Sequence, residues 1–174
     1  MRSVALVAIA ELSAALARII ARDPTELDHI EWRDLERLVA AIFAKLGFQT
    51  TLTPPAKDGG RDVILQFAVS GEKRSFIVEA KHWRSRQRAG KGHISEFVKV
   101  VASEQRNGGL ILATYGYAGT AFEALTEIER PTLYAGDESK IVALCRTFVR
   151  AEAGLFTAPA DLTEVITSDT LEQR

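Results

Sequence analysis

The stretch DVILQFAVSGEKRSFIVEAK, residues 62–81, decides the architecture. Asp62 to Ala68 and Ser75 to Lys81 read as two extended segments rich in β-branched and aromatic residues, and the Ser70-Gly71-Glu72 turn joins them into a hairpin. Residues two apart on a strand share a face, so Glu79 and Lys81 point the same way. A tight turn between strands of similar length brings the start of the first beside the end of the second. Asp62 is therefore expected next to Glu79, and two carboxylates converge beside one amine.

Upstream of the hairpin, Thr50, Thr51 and Thr53 favour a strand after Phe48, and Pro54-Pro55 and Asp58-Gly59-Gly60 mark turns. Before that, Leu35, Leu38, Val39, Ile42, Phe43 and Leu46 lie on one arc of a helix running from Ile30 to Leu46, which Gly47 ends. A first helix is expected from Val4 to Ala21, broken by Asp23-Pro24. Downstream, Ile94, Phe97, Val98 and Val101 have helical spacing, Asn107-Gly108-Gly109 stops the run, and Leu110 to Thr114 reads as a short apolar strand. Further helices are expected over Gly119 to Arg130 and Ser139 to Val149, with a strand over Thr132 to Ala135 between them. This order implies an α/β domain with a central mixed β-sheet flanked by helices. The expected division is a helical extension over 1–22, the domain proper over 23–150, and a tail or linker over 151–174, where the chain turns Ala-, Thr- and acid-rich.

At 174 residues, 47% hydrophobic and 26% charged, the chain is long enough for one packed domain and too apolar for wholesale disorder. Its net charge of −1 excludes a protein that coats nucleic acid by overall basicity, so any such surface must be local. The lone Cys145 cannot close an internal disulfide, and His29, His82 and His93 stand too far apart for zinc-ligand spacing. Glu11 and Arg18 interrupt the apolar first helix one heptad apart, which suits a polar stripe better than a membrane span. With no strongly basic start and no clean small-residue cleavage site, the expected location is the cytoplasm.

Phosphodiester hydrolysis requires charge on the phosphate and an activated water, which carboxylate-held divalent cations supply. Hard oxygen donors such as Asp62 and Glu79 select Mg²⁺, with Mn²⁺ as substitute. Lys81 beside them can orient or deprotonate the water. A second Glu-x-Lys, Glu138-Ser139-Lys140, sits at a helix start with no Asp-bearing strand before it, and is the coincidental version of the pattern.

Four segments occur in a telling order between Asp23 and Thr114: Glu36-Arg37-Leu38-Val39, Leu46-Gly47-Phe48, Gly59-Gly60-Arg61-Asp62 and Glu79-Ala80-Lys81. About half of the chain thus resembles the Mrr-like restriction endonucleases of the PD-(D/E)xK superfamily. That family has a helix with Glu before Leu-Val, a Leu-Gly-aromatic turn, a Gly-Gly-x-Asp motif and a strand ending in (Glu/Gln)-x-Lys. Leu35 stands where the family usually carries an aromatic residue. The resemblance implies a restriction-endonuclease-like fold, metal ligation by Asp62 and Glu79, assistance from Lys81, and a third carboxylate, Glu36, reaching the site from its helix.

Directly after the site, Lys81 to His93 holds Arg84, Arg86, Arg88 and Lys91 without one acid, and such a loop can neutralise DNA phosphates. Gly90 and Gly92 are expected to let it adjust, and Trp83 to pack over the hairpin. The reading that follows is an Mg²⁺-dependent endonuclease acting on double-stranded DNA, in restriction of or defence against foreign or modified DNA. A homodimer is expected, since a duplex has two strands and this chain one site. Its rivals are a Holliday-junction resolvase on the same fold, a DNA-binding module that does not cut, and a domain serving only protein contacts. Fusion to further domains stays open.

Overall fold

A computed structural model describes residues 3–54 and 62–173. The expected Asp58-Gly59-Gly60 turn, and Pro55 and Arg61 beside it, lie outside the described residues.

The hairpin forms as the alternation requires. Strand β2 (Val63–Val69) pairs antiparallel with β3 (Glu72–Lys81), Val63 opposite Val78 and Val69 opposite Glu72. The two-residue loop has Ser70 at φ 51° and Gly71 at φ 83°, the positive pair that matches the twist of a tight hairpin. Strand β1 (Gln49–Leu52) joins β2 antiparallel, while β4 (Gly108–Ala113) and β5 (Leu133–Gly136) follow β3 in parallel. The result is a five-stranded mixed sheet in the order β1-β2-β3-β4-β5.

Alternation along β3 sends Phe76 and Val78 to one face and Ile77 to the other. The first face packs against helices α2 (Trp32–Lys45) and α4 (Glu138–Glu152), over which α1 (Val4–Arg22) is laid; the second packs against α3 (Lys91–Ser103) through Ile94, Phe97 and Val101. Strand β4, buried throughout, lies between β3 and β5.

Several elements depart from the reading of the sequence. Gly108 and Gly109 open β4 rather than ending a helix. A Cβ on Gly108 would lie 2.7 Å from the Phe76 ring and one on Gly109 2.6 Å from Phe97, so only glycine lets these neighbours close in. No helix covers Gly119 to Arg130; the segment is a series of turns carrying Ala121 and Leu125 into the core. Thr126 and Glu129 exchange side-chain-to-backbone hydrogen bonds of 2.9 and 3.2 Å, the reciprocal pattern that starts a new turn and interrupts any helix through it.

The C-terminal residues fold back onto the domain. Ile166 on the short helix α5 (Thr163–Thr167) is fully buried, Leu171 N–H donates to the Ala135 carbonyl at 2.7 Å, and the Gln173 amide reaches the Leu133 carbonyl. Helix α1 is long and apolar enough by composition to cross a membrane. Its later half instead packs on the domain through Ser13, Ala17 and Ile20, and leaves Val4, Leu6 and Leu12 exposed.

Candidate active site

Register places Asp62, the residue before β2, opposite Glu79 near the end of β3. The Asp62 N–H donates to the Val78 carbonyl at 2.9 Å, and its carboxylate accepts from the Ala80 N–H at 2.6 Å. Asp62, Glu79 and Lys81 share the parity of Ile64 and Ile77, so they stand on the α3 face at the margin of the sheet. Glu79 and Lys81 form an ion pair, both largely withdrawn from solvent, and the Lys81 Nζ lies 5.8 Å from the centre of the Trp83 ring.

Glu36 joins this group from α2. It is 4% exposed, and its carboxyl hydrogen-bonds that of Asp62. Burial pushes Glu36 up to about 7, Arg33 opposing and Asp62 reinforcing the shift. Burial raises Asp62 as well, against the Ala80 N–H, and raises Glu79 against Lys81. All three shifts have one cause: charge taken from water in one small volume. Among the described residues, however, no three His, Cys, Asp or Glu side chains are grouped closely enough to hold a metal ion as they stand. Glu36 turns to Asp62 and Arg33, while Glu79 turns to Lys81.

The basic loop is less free than its composition suggests. Arg84 pairs with Glu31 at 2.5 Å, Arg86 with Asp28 at 3.4 Å, and Lys91 with Glu123 at 3.1 Å. Arg88 makes no ion pair with a described residue. Ala89 is buried and bridged to Tyr117, Gly90 caps α3 and Gly92 lies inside it, so the far end of the loop is anchored. Trp83 packs against His93 with ring centres 5.0 Å apart.

Two residues at the site gave no signal in the sequence. His82, buried behind Lys81, bonds the Thr114 hydroxyl at 2.8 Å and the Ile30 carbonyl at 2.9 Å, tying β3 to the entry of α2. Arg33 donates to Glu36 at 2.5 Å and to the Thr53 carbonyl at 3.0 Å. Either residue reads in the sequence as an ordinary surface group; only tertiary placement gives it partners.

A protein of Sinorhizobium fredii (strain NBRC 101917 / NGR234), described only as uncharacterized protein y4cE, is 49% identical over 156 residues; these are 90% of this chain but 40% of that protein. Restriction endonuclease FokI bound to DNA superposes with a TM-score of 0.56 at 17% identity, over 97% of this chain and 33% of FokI. Another FokI structure gives 0.54 at 15% identity, over 83% and 30%. At such identity these structures speak for the fold, the restriction-endonuclease core that the family resemblance implies. Residues 27–145 match the Mrr_cat family, described as restriction endonuclease, and the chain belongs to that family.

Proposed function

We propose that this chain is a DNA-cleaving domain that hydrolyses phosphodiester bonds of double-stranded DNA with Mg²⁺, in restriction of foreign or modified DNA. The observation that carries this reading is the register placing Asp62 opposite Glu79, with Lys81 on the same face and Glu36 bonded to Asp62. Membership of a restriction endonuclease family supports it.

The donor chemistry fits a hard divalent cation. Three carboxylates crowd one site at a desolvation cost that raises all three and that Lys81 and Arg33 offset only in part, and a cation would relieve the same repulsion. Asp62, Glu79 and Glu36 are the residues to hold Mg²⁺ or Mn²⁺, which when bound supplies charge on the phosphate and a more acidic water. Lys81, oriented by Glu79 and placed over Trp83, is the group to position that water as an ammonium and, once it has released its own proton to solvent, to accept one from the water as a neutral amine. Arg84, Arg86, Arg88 and Lys91 contact phosphates. The exposed pairs of Arg84 and Arg86 with Glu31 and Asp28 are worth at most about 1 kcal/mol each and exchange readily. The protein acts in the cytoplasm as a homodimer, one site for each strand.

The test is incubation with supercoiled, linear, methylated and four-way-junction DNA, with Mg²⁺ or EDTA. Cleavage of duplex substrates in Mg²⁺, none in EDTA, and none by Asp62→Ala is expected. Cleavage of the junction alone, or cleavage in EDTA, would overturn the reading.

A further inference from the structure

Two arginines on α2 sit three residues from an acid, and their surroundings differ. Arg37 meets Asp34 at 3.4 Å with both side chains about one-third exposed. Arg33 meets Glu36 at 2.5 Å with Glu36 buried and the Arg33 side chain 21% exposed. The first is an ordinary surface pair, screened by water. The second places a permanent cation against the carboxyl that also bonds Asp62.

The same guanidinium donates to the Thr53 carbonyl, and Thr53 in turn gives its N–H at 2.9 Å and its hydroxyl at 3.2 Å to the Asp62 carbonyl. One side chain thus links the first turn of α2, the end of β1 and the residue leading into β2. These are the segments that bring Glu36 and Asp62 together.

On the reading that Glu36 and Asp62 help to hold a divalent cation, we propose that Arg33 is a positioning residue and the internal counter-cation of the site. It engages Glu36 while the site is empty of metal and competes with the incoming cation for that carboxylate. Arg33 therefore sets the cation concentration at which the site loads. Arginine suits the role because it stays charged at every physiological pH, so the competition is never relieved by deprotonation.

The measurement is the melting temperature of the DNA-free full chain across a titration of Mn²⁺, repeated with Mg²⁺, for wild type, Arg33→Met, Arg33→Gln, Arg33→Lys, Arg37→Met and Asp62→Asn. The two neutral Arg33 variants should melt below wild type in EDTA, because buried carboxylates lose their counter-charge. They should reach half of their cation-induced shift at roughly ten-fold lower concentration, as expected when a competing positive charge leaves a carboxylate site. Arg33→Lys should stay near wild type, since it keeps the charge, and Arg37→Met should match wild type throughout. Should Arg33→Met not fold, Arg33→Gln, which retains a donor, carries the comparison alone.

Neutral variants that load at the wild-type concentration or above it overturn the proposal, as does Arg33→Lys shifting as far as Arg33→Met. A wild type that responds to neither cation overturns the reading of the site itself. That outcome is distinct from a wild type that responds, loses the response in Asp62→Asn, and is matched by every Arg33 variant.

Discussion

Glu79-Ala80-Lys81 and Glu138-Ser139-Lys140 spell one pattern on two kinds of backbone. On β3, positions two apart share a face, so Glu79 and Lys81 meet as an ion pair. On α4, positions two apart are about 200° around the axis. Glu138 is exposed there, while Lys140 is buried at 1% exposure and donates from Nζ to the carbonyls of Val165 at 2.8 Å and Ser168 at 2.5 Å. The two lysines are both withdrawn from water, yet one faces carboxylates at a sheet margin and the other clasps the C-terminal segment to the domain. A short motif acquires chemistry from the period of the element that carries it.

The largest expected effect breaks this comparison if it fails. Asp62→Ala, Glu79→Ala and Lys81→Ala should each lower Mg²⁺-dependent cleavage by at least about 10³-fold while the protein stays folded, on the scale of losing a group that acts on the reacting atoms. Lys140→Ala should leave the rate per folded molecule within about two-fold, since nothing near Lys140 belongs to the site. Nicking of supercoiled DNA with circular dichroism on the same samples checks both. A folded Lys81→Ala protein that cuts at the wild-type rate would make the β3 copy as incidental as the other.

Lys81→Arg sharpens the comparison by keeping the charge and removing the removable proton. A guanidinium does not deprotonate in this range, so cleavage should fall roughly 10²-fold, the usual worth of a positioned general base. Cation-induced stabilisation should persist. Wild-type cleavage by Lys81→Arg would reduce Lys81 to a fixed charge.

At the second copy the effect moves from rate to stability. Lys140→Ala removes a buried aliphatic stem and leaves the Val165 and Ser168 carbonyls without their donor, which should cost about 2 kcal/mol, partly offset because no ammonium is buried any longer. Urea unfolding reads this directly. Proteolysis near Ile166 should rise in parallel, because the clasp holds that segment down.

These contrasts also mark what was legible in the sequence. The hairpin was legible because alternation, a Ser-Gly turn and strand length all pointed one way, and once its register was read the meeting of Asp62 with Glu79 followed. Helix α2 showed through its apolar arc. The turns over Gly119 to Arg130 were not legible, because Ala121 and Leu125 have helical spacing and only the Thr126–Glu129 exchange reveals the interruption. The C-terminal segment looked polar enough to be a tail; its anchors are Ile166 and backbone groups, and backbone groups leave no trace in composition. The loop after Lys81 was legible as basic, but its partners Asp28 and Glu31 lie more than fifty positions upstream, beyond any local pattern. Arg33 was invisible for the opposite reason: its partner is three residues away, and what distinguishes it from Arg37 is burial alone.

The smallest effect concerns the proton on Lys140. Burial lowers this amine to about 8 in the folded protein, with Asp169 opposing the shift, whereas a lysine in the unfolded chain holds its proton to about 10.4. Below pH 8 both states are protonated, and the folded state bears the full cost of a buried ammonium. Between pH 8 and about 10.4 the unfolded chain binds a proton that the folded one has released, so this residue's contribution to stability rises with pH through that window. Cys145 works against it, because burial raises its thiol to about 12 and the unfolded state ionises first above pH 9. Wild type alone therefore reports a mixture. Lys140→Met keeps the length of the stem and removes the titrating group, so the difference between wild type and Lys140→Met isolates the lysine. Urea unfolding at pH 7.5, 9 and 10 should show wild type gaining on the variant across the series. A constant difference would mean that the Val165 and Ser168 carbonyls hold the ammonium charged throughout, and that the clasp is ionic rather than a neutral amine.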